Sequence, residues 1–114
     1  MTPRLPRWSR FVLRHRHPGN LAVHAVSAVL FWVFPWISLA TGDWRWLLGF
    51  AVSGVVGASG HYLFGDGGVS LREATSQPEV PWYVLRMFWR LATGRYAEDI
   101  AAAEGQRERG GSPG

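Results

Sequence analysis

The sequence predicts an all-α membrane protein, a two-helix transmembrane hairpin accompanied by amphipathic interfacial helices, and three observations predict it. No formally charged residue occurs from Leu21 to Gly42, and none from Trp46 to Gly65. About 20 helical residues rising about 1.5 Å each reach about 30 Å, the depth of a hydrocarbon core, so each run is long enough to cross one. All twelve basic residues are arginine, and Arg4, Arg7, Arg10, Arg14 and Arg16 precede the first run with no acid among them. A soluble domain of 114 residues is too small to cover two wholly apolar helices.

Charge then orients the hairpin. The connector "TGDWR", residues 41 to 45, holds one Asp and one Arg, whereas Arg72, Arg86, Arg90 and Arg95 follow the second run. The positive-inside rule places both termini in the cytoplasm, with the hairpin in the inner membrane. The arginines are an orienting charge and not a nucleic-acid patch, so the expected partner is membrane lipid and no nucleic acid. A cleaved signal peptide is the competing reading, since "SLA" at 38 to 40 has the cleavage spacing. The run is longer than a normal signal core, however, and carries Trp32, Pro35 and Trp36. With no cysteine in the chain, disulfides and thiolate metal sites are excluded.

Each element follows in order. Residues 1 to 19 read as a Pro-broken basic interfacial segment with a short amphipathic piece suited to an anionic leaflet. Pro18 and Gly19 interrupt it, and Asn20 is placed as N-cap of a first helix over 21–40, with Pro35 as a kink. The second helix, 44–64, carries Gly49, Ser53, Gly54, Gly57 and Gly60. Small residues at three and four spacing let another helix approach, so this is a packing face, open also to a homo-oligomer. The stretch "DGGVSLREATSQPEVP" reads as a loop or partly re-entrant segment at the cytoplasmic surface. A third, amphipathic helix over 80–94 sets Tyr83, Arg86, Arg90 and Thr93 on one stripe, with Trp82, Leu85, Phe88, Trp89 and Ala92 around the rest. It completes a membrane domain of residues 20–96, and 97–114 read as a disordered tail.

Histidines mark the candidate site. His24 lies 17 positions before Thr41 and His61 lies 17 positions after Trp44, so both stand about 25 Å above the connector, at one depth. His61 shares its face with Gly57, Gly54 and Ser53, and His24 shares its face with Ser27, Ala28 and Phe31. His15 and His17 reach this level from just before Asn20. Histidine inside a membrane helix is costly and is usually paired or functional. His17 is either a residue that orients a ligand through its ring N–H or a solvated loop residue. An all-nitrogen set suits ferrous iron, copper or zinc. Asp66 or Glu73 could complete a facial triad, and each also reads as a solvated loop acid.

The order of motifs resembles that of the Mpo-like 2-hydroxy fatty acid dioxygenases, a family of membrane proteins. The residues that carry the resemblance are His15, "PGNLAVH" at 18 to 24, "GHYLF" at 60 to 64, "REAT" at 72 to 75, Pro78 and "LRMFWRLATGR" at 85 to 95. The likeness covers about residues 11 to 95. Two departures stand out: "GDGGVSL" intervenes where the family places a Glu after its Gly-His stretch, and hydrophobic residues around Val84 replace an Asp. The resemblance implies an Fe(2+)-dependent dioxygenase that uses molecular oxygen to shorten a long-chain 2-hydroxy fatty acid by one carbon. His15, His24 and His61 would then be catalytic metal ligands, with His17 beside them. Asn20, Arg72 and Arg86 are candidate substrate contacts, the arginines for the headgroup carboxylate. Two rival readings come from other classes. In one the hairpin is a non-enzymatic packing module with hydrogen-bonded histidines; in the other His24 and His61 hold a b-type haem.

Overall fold

A computed structural model describes residues 4–66, 72 and 76–110. The elements in chain order are α1 (Arg7–Leu13), α2 (Pro18–Trp32), α3 (Phe34–Thr41), a 3-10 turn (Trp44–Leu48), α4 (Gly49–Phe64), α5 (Val80–Ala92) and α6 (Tyr96–Glu108). The chain divides into two units, one of Met1–Arg16 with Val69–Gly114 and one of His17–Gly68.

Within His17–Gly68, α2 starts one turn earlier than expected. His17 is its N-cap, with Nδ1 accepting from the Gly19 N–H at 3.0 Å, and Pro18 occupies the first turn, where a missing N–H costs nothing. The expected cap, Asn20, lies inside this turn and is fully buried. Pro35 has no N–H to continue the ladder, and the helix breaks at Val33 into α2 and α3, as the kink expectation had it. Gly42 ends α3 in the left-handed region at φ 71°. Asp43 caps the 3-10 turn that follows, accepting from the Arg45 N–H at 3.0 Å and pairing with its guanidinium at 2.9 Å. The Arg45 side chain, and then its backbone N–H, hold the Asp43 carboxyl below the usual carboxylate range. The second apolar helix therefore begins at Trp44, its first turn wound more tightly than the rest.

α2 and α4 pack through glycine. A Cβ on Gly57 would meet Ser27 Oγ at 3.1 Å, and one on Gly60 would run into Asn20 Oδ1 and stand 3.1 Å from Val23. Ser27 Oγ donates to the Ser53 carbonyl at 2.8 Å across the same seam. Gly54, expected on this face, meets only open space. The 100° step per residue explains the difference: Ser53, Gly57 and Gly60 make one stripe, and Gly54 falls to the opposite side of Gly57. The helices Pro18–Thr41 and Trp44–Phe64 are long and apolar enough to cross a membrane.

In the other unit, α1 packs on α5 and α6. Val12 and Met87 are fully buried, and Leu5, Phe11, Leu13, Tyr96 and Ala103 join them. Tyr83 meets the Trp8 ring at 5.4 Å and the Phe11 ring at 5.6 Å, while the Arg86 guanidinium lies 4.3 Å over Trp8. Within the segment 1–19, expected to be interfacial, α1 buries Phe11, Val12 and Leu13 in this core. One expectation is corrected here. The tail expected to be disordered from residue 97 is helical through Glu108. Its composition is polar, but Glu98 and Asp99 in the first turn and Arg107 in the last suit the helix dipole. Bonds distant in sequence then hold it: Arg90 to Asp99 at 2.8 and 3.0 Å, Arg16 to Glu104 at 2.8 Å, and Ser9 to Gln106 at 2.7 Å. Along α5, Met87 faces inward and Trp82, Leu85 and Trp89 stay exposed.

Candidate metal centre

His24 and His61 meet where α2 and α4 cross, their rings perpendicular with centroids 5.0 Å apart. The close approach depends on Gly57, whose missing Cβ would stand 3.8 Å from His24 Nε2. His24 Nδ1 lies 2.9 Å from the Asn20 carbonyl one turn back, and His61 Nδ1 lies 2.8 Å from the Asp66 carbonyl. A carbonyl can only accept, so Nδ1 carries the proton in each neutral ring and the lone pair stays on Nε2. For His61 this requires the chain to turn back at the end of α4. Gly65 makes that turn at φ 61°, a left-handed value that suits a residue without Cβ, and the Asp66 N–H returns to the His61 carbonyl at 3.0 Å.

His15, in the other unit, is anchored by the same chemistry. Its Nδ1 lies 2.6 Å from the Phe11 carbonyl, its ring stacks on Phe11 at 4.0 Å, and its own carbonyl accepts the Tyr96 hydroxyl at 2.7 Å. The side-chain proton again sits on Nδ1. His15, His24 and His61 are each buried within their own units, and His24 and His61 face one another across one helix seam. Imidazole ligands characteristically donate the second ring N–H to a carbonyl or carboxylate, which fixes tautomer and ring orientation. All three histidines do so.

The remaining candidates separate. His17 is exposed, and its Nδ1 is committed to capping α2 while its ring stacks on Phe64 at 4.8 Å. It is thus an exposed capping residue, where either a ligand-orienting ring or a solvated loop residue was expected. Asp66 is buried and not a solvated loop acid: Oδ2 accepts from the His17 N–H at 2.8 Å and from Asn20 Nδ2 at 3.0 Å. Asn20, expected to touch substrate, spends its amide on that bond. The Arg86 guanidinium is stacked on Trp8, and Arg72 is exposed. Glu73 lies outside the described residues. Sequence reasoning missed the partnership of Asn20 with Asp66. Its one local signal was the Gly65–Asp66 step at a helix end, which does not reveal that the acid turns back on the other helix. No family model matches the chain, and no curated protein or solved structure matches it either.

Proposed function

We propose that this is an integral membrane metalloprotein in which His15, His24 and His61 bind one ferrous ion, and that it oxidises long-chain 2-hydroxy fatty acids. The observation that carries the reading is the common tautomer: three buried imidazoles, each with Nδ1–H bonded to a backbone carbonyl and the lone pair kept on Nε2. Three neutral nitrogen ligands leave coordination positions open and suit a first-row metal. Membrane insertion is supported by the apolar exterior of the hairpin, where Val29, Leu39, Val55 and Leu63 are exposed. The basic N-terminus and the near-neutral connector favour cytoplasmic termini.

A ferrous ion with open positions supplies the means to bring oxygen and a chelating 2-hydroxy carboxylate together. The overall change is balanced: the 2-hydroxy acid and one O2 give the acid one carbon shorter, carbon dioxide and water. The protein's own part is to hold each of the three rings in one tautomer through a backbone carbonyl and to offer the acyl chain a lipid-like exterior. Each buried methylene contributes about 0.8 kcal/mol to that binding. The packing speaks against the haem alternative, because the contact of Gly57 with Ser27 leaves no width for a macrocycle between the helices.

Metal analysis of detergent-purified protein is the first test. Iron at one per chain, without the Soret band of haem, is expected. His15→Ala, His24→Ala and His61→Ala should each remove most of it and abolish chain-shortening in ferrous iron and air, whereas His17→Ala should do much less. A protein that holds no metal of any kind would return the histidines to a structural hairpin. Iron without turnover would end the enzyme reading and point to the absent family Glu. Reporter fusions at Gly42 and Gly110 test orientation, and an external signal at Gly110 would defeat it.

A further inference from the structure

His24 and His61 stand on different helices, yet the two carbonyls that anchor them belong to one bonded pair of residues. The Asn20 carbonyl takes His24 Nδ1–H at 2.9 Å, the Asp66 carbonyl takes His61 Nδ1–H at 2.8 Å, and Asn20 Nδ2 donates to Asp66 Oδ2 at 3.0 Å. The same Oδ2 accepts the backbone N–H of His17 at 2.8 Å, at the start of α2. Asn20 is 0% and Asp66 5% exposed, so these bonds do not compete with bulk water. Ring, carbonyl, side chain, side chain, carbonyl, ring: the path from one imidazole to the other is continuous.

We propose that Asn20 and Asp66 form a clasp that sets the separation and rotation of the His24 and His61 rings before a metal arrives. Asp66 is a positioning residue acting from outside the coordination sphere. The inference rests on the metal-site reading and deepens it. Asp66 Oδ2 is committed to two N–H donors, and its negative charge is well placed at the N-terminus of α2, where the helix dipole favours it. A first shell held by such outer contacts binds metal more tightly, and losing one typically costs 10–100-fold in affinity.

The test uses the full chain in nanodiscs, with cobalt(II) as probe. Asp66→Ala should weaken cobalt binding about 10–100-fold and shift the visible d–d bands. Asp66→Asn should stay within a few-fold of the wild type, because an amide oxygen can accept the same two bonds. Equal losses in Asp66→Ala and Asp66→Asn would overturn the clasp in favour of a carboxylate ligand, and unchanged binding in Asp66→Ala would overturn it outright. If Asp66→Ala does not fold, Asn20→Asp against the exchanged Asn20→Asp/Asp66→Asn decides. The first sets two carboxylates face to face and the second restores the bond, so failure of the exchange to recover binding overturns the proposal. The metal-free protein gives an independent readout in the 15N signals of the rings. Both should show the Nδ1–H tautomer in the wild type; Asp66→Ala keeps the backbone carbonyl that accepts from His61 but releases the turn carrying it from Asn20, so the His61 ring signals should shift and broaden. Unchanged His61 ring signals in Asp66→Ala would sink the clasp even if metal binding fell, and a wild type that binds no metal would sink the metal reading while this spectrum still decides the clasp.

Discussion

Where Met1–Arg16 and Val69–Gly114 form one unit, the buried positions are mostly apolar, Leu5, Phe11, Val12, Leu13, Met87, Tyr96 and Ala103 beside Ser9, Arg10 and His15, and Arg95, Glu98, Arg107 and Glu108 lie outside. Where His17–Gly68 forms the other, the buried positions are Asn20, His24, Ser53, Gly57, Gly60, His61 and Asp66, and the outside is Val26, Val29, Leu39, Val52, Val55 and Leu63. The first unit is ordered by removing apolar surface from water. That driving force cannot order the second, whose outside is more apolar than its inside. Close backbone approach and polar bonds across the helix seam do so instead, as they do between helices surrounded by lipid. The lesson is that the candidate site is not a polar flaw in a hydrophobic core. It is part of what joins the helices.

Five substitutions break or sharpen this contrast. The largest effect is expected at Met87, fully buried in the conventional core. Met87→Ala should cost about 2–5 kcal/mol through lost transfer energy and the cavity left behind, read as a lowered melting temperature of that unit. On the exposed face of α2, Val29→Asp should cost about 3 kcal/mol near the centre of an inserted helix. Protease protection of membrane vesicles would report failed insertion, and normal insertion would argue that this face does not meet lipid. Gly60→Leu should cost about 1–3 kcal/mol by forcing α2 from α4 at Asn20 and Val23, with loss of bound metal. Gly54→Leu, pointing into open space, should leave metal content unchanged, and equal effects at the two positions would refute the stripe. The smallest change belongs to Asp99→Asn. Arg90 and Asp99 are paired at 2.8 Å near the surface, so the melting temperature should fall slightly, and less in high salt.

Much of the hairpin was legible because its cause is local. Uncharged runs set the helices near their observed limits, Pro35 marked the break, and simple counting put His24 and His61 at one depth. The features that escaped depend on contacts between distant positions. Asn20 looks like an N-cap by type, but His17 followed by Pro18 offers the earlier start, and Asn20 is taken by an acid 46 residues away. Gly54 and Gly57 look alike in a list of small residues, and only the rotation of α4 against α2 distinguishes them. The polar stretch after Arg95 has the composition of a tail. It is helical because Ser9, Arg16 and Arg90 lie where Gln106, Glu104 and Asp99 can reach them.

By itself, then, the sequence determined the helical class, the two apolar runs, their kink and turn, and the shared depth of two histidines. These follow from residue type and from the fixed rise of a helix. The tertiary structure alone decided which histidines share a tautomer, that Asp66 is a buried bond acceptor and not a solvated acid, and that the last segment folds. A hydrogen bond is decided by tenths of an ångström and by direction, and neither is encoded until two distant segments of chain have been packed together.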